Sequence, residues 1–218
     1  EKARQDGVAV IGVPSGFVPR AAVAYMTVSA YVVAHLAGVL PDPPEAEIEA
    51  AATLLEELVV ELGPEAPNGS AAKALAGRLP GRVPVIYGAG MTAPVARRWK
   101  GQLNENSGIH AFWNELPEVD HNEIMGWETA PASGPFAAVF LADAHQHERT
   151  RRRLTLTARL IQDEGSEVHI LESRGAAPLE RVMSLVLTGD LVSIYLCAAS
   201  YTDPSSMEVI ERLKAELG

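Results

Sequence analysis

Cysteine is nearly absent from this sequence: one residue, Cys197, occurs among 218. A single thiol has no partner within the chain, so a disulfide framework is excluded and a reducing compartment fits. Cys197 lies in the apolar run 191–199, and we therefore expect it to be packed in the core.

Basic residues are also in short supply. Lysine and arginine number 18 against 28 aspartates and glutamates, which gives a formal net charge of -10. An acidic surface repels phosphate backbones and anionic lipid headgroups, so we expect neither nucleic acid nor a membrane as a partner. An anionic ligand would need a local basic pocket.

Charge of either sign is missing from 21–40, a segment about long enough to cross a bilayer. The segment is rich in alanine and carries polar side chains such as Tyr25, Ser29 and His35, so its transfer into lipid is weak. We interpret it as a helix buried on all sides. No signal peptide is visible before it, and we expect a cytoplasmic protein. The sequence also lacks an initiator Met, which favours a truncated or processed piece.

The signals of several enzyme classes are missing as well. The sequence has no serine-centred nucleophile elbow and no Walker loop. His145 and His147 could bind zinc as a pair on a turn, but no second cluster with ligand spacing accompanies them. We interpret the pair as a solvated helix start and expect no metal.

The chain does have enough apolar side chain to bury a core, since 47% of its residues are hydrophobic. From residue 83 onward, short apolar strands alternate with longer helical patterns. The predicted strands are 83–88, 136–141 and 168–171, and the predicted helices are 92–106, 148–163 and 178–199. Such alternation with short links predicts a three-layer α/β/α fold with a parallel, flavodoxin-like sheet.

Prolines divide the chain. The run LPDPP at 40–44 stops any helix, so we place a domain boundary there. Before it, the β-branched run 7–14 is predicted to be a buried strand, and an apolar helix follows from Arg20. This pair looks like the closing unit of another domain of the same kind. We therefore divide the chain into the end of a first domain, a helical linker, a second domain and a tail helix, at 1–42, 43–79, 80–200 and 201–218.

Two stretches of the chain could carry chemistry. The glycine-rich turn at 88–92 would let an anion approach the backbone, although such turns are as often structural. The stretch 99–127 gathers Lys, Glu, His and Asn without the alternation of a solvated helix. Alone, Glu105 is interpreted as a surface carboxylate and His121 as a turn residue bonded to backbone. Together, a carboxylate and an imidazole are what proton transfer beside a carbonyl carbon requires.

Five short motifs carry a resemblance over nearly the whole chain. They are VPSG at 13–16, PRAA at 19–22, NEN at 104–106, LPEVDHNEI at 116–124 and IERLK at 210–214. The sequence resembles the bifunctional phosphoglucose/phosphomannose isomerase family, a branch of the sugar isomerase (SIS) domain proteins. The resemblance implies two SIS domains per subunit, each a five-stranded parallel sheet between helices, with the active site at a dimer interface. This chain would hold only the last strand and helix of the first SIS domain, without the Ser/Thr-rich loop that binds the sugar phosphate in the family.

The same resemblance implies roles for particular residues. Glu105 would be the base that moves a proton between C1 and C2 through a cis-enediol. His121, contributed by the neighbouring subunit in the family, would assist ring opening, as would Lys214 on the final helix.

The resemblance also implies how the substrate is held. Arg20 would lie near the substrate and stabilise the charge of the enediolate. Ser205 and Ser206 are placed, more loosely, on the substrate side before the last helix. Aldose–ketose interconversion needs a base, a proton shuttle for oxygen and a cation, and no metal or redox cofactor. We therefore expect a sugar-phosphate substrate, a homodimer and no cofactor.

Three functions are consistent with these residues. The first is isomerisation of glucose 6-phosphate, mannose 6-phosphate or both to fructose 6-phosphate. The second is a SIS module that senses a sugar phosphate without turning it over, and the third is a purely structural dimerisation domain. Retention of Glu105, His121 and Lys214 favours the enzyme, because a sensor needs contacts to phosphate but no enolising base.

Overall fold

A computed structural model describes residues 2–218, which form two compact units divided between Ala50 and Ala51. The elements of the first unit are α1 (Lys2–Gln5), a 3₁₀ helix (Pro19–Ala22) and α2 (Val23–Leu36). Helix α3 (Glu45–Leu62) begins in the first unit and continues in the second.

The prediction of a buried strand at 7–14 is wrong. Within the described residues of the first unit, this segment forms no strand, and its apolar side chains are exposed. An extended segment becomes a strand only when a neighbouring backbone pairs with it. The described part of the first unit contains no second strand, so the pairing cannot form within it.

The interpretation of 21–40 as a helix buried on all sides is also wrong. The helix is shorter, Val23–Leu36, and none of its residues is buried. Met26 is 59% exposed and Leu36 is 76% exposed. The apolar composition of this helix therefore does not mean that the helix is buried within the described first unit.

The second unit contains the parallel sheet and the helices that cover it. After α3, its helices are α4 (Ala71–Arg78), α5 (Ala93–Ser107), α6 (Ala130–Ser133), α7 (Glu148–Asp163), α8 (Pro178–Ala199) and α9 (Glu208–Leu217). Its strands are β1 (Val83–Gly88), β2 (Phe112–Glu115), β3 (Phe136–Ala142) and β4 (Glu167–Glu172). Short 3₁₀ helices occur at Gly90–Thr92, Glu118–Asp120 and Glu123–Glu128.

All strand pairs in the sheet are parallel, in the order β2-β1-β3-β4. The described sheet has four strands, one fewer than the resemblance implied. Strands β1 and β3 lie in the centre and are almost wholly buried, as expected when helices cover both faces of a parallel sheet. The three-layer α/β prediction is confirmed.

The two faces of the sheet bury different side chains because successive residues of a strand point to opposite sides. Tyr87 and Phe140 belong to a core with Trp127, Leu154 and Ile161, on the side covered by α7 and the segment after β2. On the opposite side, α4, α5 and α8 pack together and bury large side chains, which include Trp99, Leu103, Leu185 and Leu196.

Helix α8 is the one helix among residues 2–218 that is long and apolar enough, by composition, to cross a membrane. More than half of its apolar window is buried inside the unit, so the feature is what a core helix shows. Cys197 near its end is 2% exposed, which confirms the core packing expected for the thiol.

Helices α5 and α8 approach each other closely at Gly189. A Cβ atom built on Gly189 would lie 2.3 Å from Nε1 of Trp99. The indole is 1% exposed and donates from Nε1 to the carbonyl oxygen of Leu185 over 2.8 Å. The indole is thus fixed against the helix backbone at the one place where α8 has no side chain.

A titratable group in β4 makes a prediction about stability. Burial lowers the pKa of His169 below its ordinary 6.5, despite Glu167 at 3.2 Å. Because the unfolded chain then binds the proton more readily, the free energy of unfolding should fall as pH drops through 6.5. We expect His169→Gln to reduce this loss when urea unfolding is measured from about pH 8 to about pH 5. If the free energy of unfolding of His169→Gln depends on pH as steeply as that of the parent, His169 does not contribute to the loss of stability.

Candidate active site

Glu105 lies on the last turn of α5 and is exposed. The turn ends at Gly108, whose φ of 64° is left-handed and suits glycine. Next to Glu105, the side chain of Asn104 donates to the carbonyl oxygen of Ile109 over 2.7 Å. The carboxylate is therefore presented to solvent from a well-defined helix end.

The residues around Glu105 face inward and are tightly bonded to α8. Asn106 donates from Nδ2 to the hydroxyl of Ser193 over 2.9 Å, and the Ser107 hydroxyl donates to the carbonyl oxygen of the same serine over 2.7 Å. Asn106 is 5% exposed and Ser107 is 1% exposed. The helix thus buries one side and exposes Glu105 on the other.

His121 lies in a turn after β2 that is attached to the rest of the unit on both sides. Before it, the carboxylate of Asp120 accepts from the Thr157 hydroxyl at 2.6 Å and pairs with Arg153 at 3.3 Å, both on α7. The backbone N–H of His121 donates to the carbonyl oxygen of Glu118. His121 itself is exposed, so the turn presents an imidazole outward from a fixed backbone.

Glu123 holds the other side of the same turn. Its carboxylate accepts from Nδ2 of Asn114 over 2.6 Å and from the buried hydroxyl of Tyr87. Trp127 donates from Nε1 to that hydroxyl over 2.9 Å. Burial and the hydrogen bond to Glu123 raise the pKa of Tyr87, which therefore stays a neutral donor.

The described chain does not bring Glu105 and His121 together. Helix α5 starts at the carboxyl end of β1 and runs back, so Glu105 lies at the amino end of β2. His121 follows the carboxyl end of the same strand. A four-residue strand spans roughly 13 Å. The two side chains therefore lie beyond opposite ends of β2, Glu105 at its amino end and His121 at its carboxyl end.

The predicted residues of the tail follow the end of α8 on the chain. Helix α8 also runs from the carboxyl to the amino edge, and the tail that follows it carries Ser205, Ser206 and Lys214, all exposed. The hydroxyl and backbone N–H of Ser205 both donate to Asp203, which lowers the pKa of that carboxyl.

Arg20, the remaining predicted site residue, belongs to the first unit. It lies in the 3₁₀ helix Pro19–Ala22 and is half-buried.

The carboxyl edge of the sheet holds a polar cluster that the sequence analysis missed. Asp143 is 2% exposed and pairs with Nε of Arg181 at 3.1 Å, while the Ser173 hydroxyl donates to the same carboxylate over 2.8 Å. The glycine turn lies beside it, where Gln146 donates to the carbonyl oxygen of Ala89 over 2.7 Å. Because the Asp143 carboxylate neutralises the Arg181 guanidinium, this pair gives the carboxyl end of the sheet no surplus positive charge that could bind an anion.

The histidine pair before α7 behaves as a helix start. Nδ1 of His147 accepts from the backbone N–H of Arg149 over 3.1 Å and so caps the helix. No group of three potential metal ligands occurs in the part of the chain that the structure describes.

Comparisons with known proteins agree on the kind of protein that this chain resembles. The family described as bacterial phospho-glucose isomerase C-terminal SIS domain matches residues 68–217. A bifunctional phosphoglucose/phosphomannose isomerase from Aquifex aeolicus is 35% identical over 100% of this chain and 64% of its own length. One from Caldicellulosiruptor bescii is 37% identical over 100% of this chain and 65% of its own length. The chain thus spans a little less than two thirds of these relatives.

Solved structures show the same fold. A glucose-6-phosphate isomerase like protein from Thermus thermophilus superposes with a TM-score of 0.70 at 22% identity, over 96% of this chain and 65% of the other. A hypothetical protein from the same organism gives 0.73 at 14% identity, over 99% of this chain and 58% of the other. At these identities the likeness concerns the fold alone.

Proposed function

Since the chain belongs to the family of bacterial phosphoglucose isomerase C-terminal SIS domains, we propose that it acts as a sugar-phosphate isomerase that interconverts glucose 6-phosphate, mannose 6-phosphate or both with fructose 6-phosphate. The observation that carries the proposal is Glu105, an exposed carboxylate on a helix end held by buried contacts. We further propose a cytoplasmic homodimer as its working form.

Glu105 acts as the base in this proposal. In the open-chain aldose it removes the proton from C2, the C1–C2 double bond forms, and the carbonyl oxygen on C1 takes up a proton. The resulting cis-enediol returns to a carbonyl compound when the carbon proton is delivered to C1 and the hydroxyl on C2 loses its own. The product is the ketose, and atoms and electrons balance without any external oxidant.

The other residues act on the sugar ring and on the developing charge. His121 and Lys214 exchange protons with the ring oxygen and the hydroxyl on C1 to open the ring. Arg20 stabilises the negative oxygen of the enediolate, because a cation placed where charge develops lowers the barrier. Ser205 and Ser206 donate hydrogen bonds to the substrate.

The direct test is a coupled assay for fructose 6-phosphate with each aldose, using the protein at its full natural length. Turnover of one or both aldoses would support the isomerase and give its epimer preference. Binding of glucose 6-phosphate without turnover would instead indicate a sensor, and absence of both would leave the structural role.

The position of His121 supports a site shared between two copies of the chain. In this proposal, His121 follows the carboxyl end of β2 in one subunit and serves the Glu105 of the other subunit. We expect Glu105→Gln and His121→Ala to be inactive separately. When the two variants are mixed and allowed to exchange subunits, activity should return to about a quarter of the parent rate, because half of the dimers are mixed and each holds one intact site.

The control for this mixing experiment is each variant mixed with itself under the same exchange conditions. A mixture that stays inactive, although mass spectrometry shows mixed dimers, would place both residues in the same subunit's site. Activity of His121→Ala on its own would remove His121 from the reaction.

A further inference from the structure

Polar side chains lie among the apolar ones in the second half of the contact between α5 and α8, where packed helices ordinarily meet through apolar residues. We call Gln102, Asn106, Asp190 and Ser193 the polar seam. Gln102 donates from Nε2 to Asp190 over 2.6 Å, and Asn106 donates to the Ser193 hydroxyl over 2.9 Å. Gln102 and Asn106 are each 5% exposed, and Ser193 is fully buried.

The two members of the polar seam on α8 have further bonds that fix their orientation. The Ser193 hydroxyl donates onward to the carbonyl oxygen of Asp190 over 2.7 Å. The Asp190 carboxylate also accepts from the Arg98 guanidinium at 2.8 and 3.0 Å. The contact is therefore a connected network and not a set of isolated pairs.

A buried polar network is a poor source of stability, because desolvation offsets most of what its hydrogen bonds gain. It does, however, restrict geometry. Apolar side chains tolerate sliding and rotation of one helix on another, whereas a donor must meet its acceptor within a few tenths of an ångström. Such a network fixes both the register and the rotation of α5 on α8.

Glu105 lies between two members of the polar seam on the chain, after Gln102 and directly before Asn106. We propose that Ser193 and Asp190 are positioning residues that act through Asn106 and Gln102 to set the direction of the Glu105 carboxylate. This inference rests on the proposed role of Glu105 as the base. A displacement of a catalytic group by about 1 Å can cost about a hundredfold in rate, so the effect should appear in turnover.

Ser193→Ala tests the inference, with Ser184→Ala as the matched control. Both serines are buried in α8, and the Ser184 hydroxyl, near the opposite end, accepts from the backbone N–H of Arg174 over 2.8 Å. We expect Ser193→Ala to lower kcat by about 10- to 100-fold while KM changes by less than about twofold. Ser184→Ala should lower the melting temperature about as much as Ser193→Ala does, but it should leave kcat at the parent value.

Asn106→Ala provides a second, independent variant that removes the donor from the same hydrogen bond. It should reproduce the loss in kcat, and the double variant should be little worse than either single one, because one bond is being removed. Equal kcat in Ser193→Ala, Asn106→Ala and the parent would overturn the inference. Full turnover in Glu105→Gln would overturn the proposed base instead, so the two failures are distinguishable.

Discussion

Glu105→Gln should reduce kcat for aldose–ketose interconversion by about a thousandfold or more, with KM close to that of the parent. The amide has the shape of the carboxylate but cannot accept and return a proton at carbon. Since Glu105 is exposed on the last turn of α5, the fold should survive the change. The measurement is the coupled assay together with a thermal melt of the same sample.

Two further observations make this result specific. Exchange of the C2 proton with deuterated solvent should be lost together with net turnover, because both need the same base. The control is Glu164→Gln, the same substitution at an exposed residue directly after α7, which should retain the parent kcat. Turnover at the parent rate in Glu105→Gln would remove the residue from the chemistry.

Gly189→Ala should destabilise the second unit although alanine is the better helix former. The new Cβ would meet the Trp99 indole at 2.3 Å, and overpacking of this kind costs about 1–3 kcal/mol or more. The helix propensity gained is at most about 1 kcal/mol. Gly189→Val adds two more methyl carbons to the same space and should cost over about 3 kcal/mol, enough to remove much of the stability of an ordinary domain.

Gly101→Ala is the control for this prediction, because it places alanine on the other helix of the pair. A Cβ atom on Gly101 meets nothing within 4 Å, so the variant should be more stable than the parent by up to about 1 kcal/mol. Urea unfolding of the three variants gives the comparison. If Gly189→Ala is as stable as Gly101→Ala, the indole is not fixed as described.

The strands and helices that could be predicted have a clear apolar pattern, either a continuous run or a repeat at helical spacing. Strands β1 and β3 are central and read as apolar runs, and the bounds of α7 and α8 match the predicted helices. Strand β2 was missed because it is an edge strand with a largely exposed sequence, FWNE. The apolar pattern of a strand reflects how many neighbouring elements bury it. An exposed edge strand such as β2 is buried by few of them, so its pattern is weak.

The prediction for the opening segment was wrong in the opposite direction, because a strand was predicted where none forms. The run 7–14 has the composition of a buried strand, but composition cannot supply the neighbouring backbone that a strand needs. Helix α2 likewise has an apolar sequence without a buried residue.

For the candidate site, residue type was informative and placement was not. The motifs drew attention to Glu105 and His121, which are sixteen positions apart. Strand β2 lies between them on the chain and separates them to its opposite ends, which their spacing alone did not indicate. Glu123 was part of the quoted motif and was given no role, because its partners Tyr87 and Asn114 are distant or unremarkable in sequence. Asp190 was missed because α8 is apolar on average and one acid does not change that pattern.

The polar seam also limits how this fold can be recombined. The donors that cross the contact lie on α5 and their acceptors on α8, so neither helix can be exchanged for one that lacks the matching seam residues. A chimera that pairs this α5 with an α8 lacking Asp190 and Ser193 would leave buried amides without acceptors, each at a cost of about 1–3 kcal/mol. Crossovers that keep each seam donor with its acceptor should yield folded chimeras, and those that separate them should be less stable.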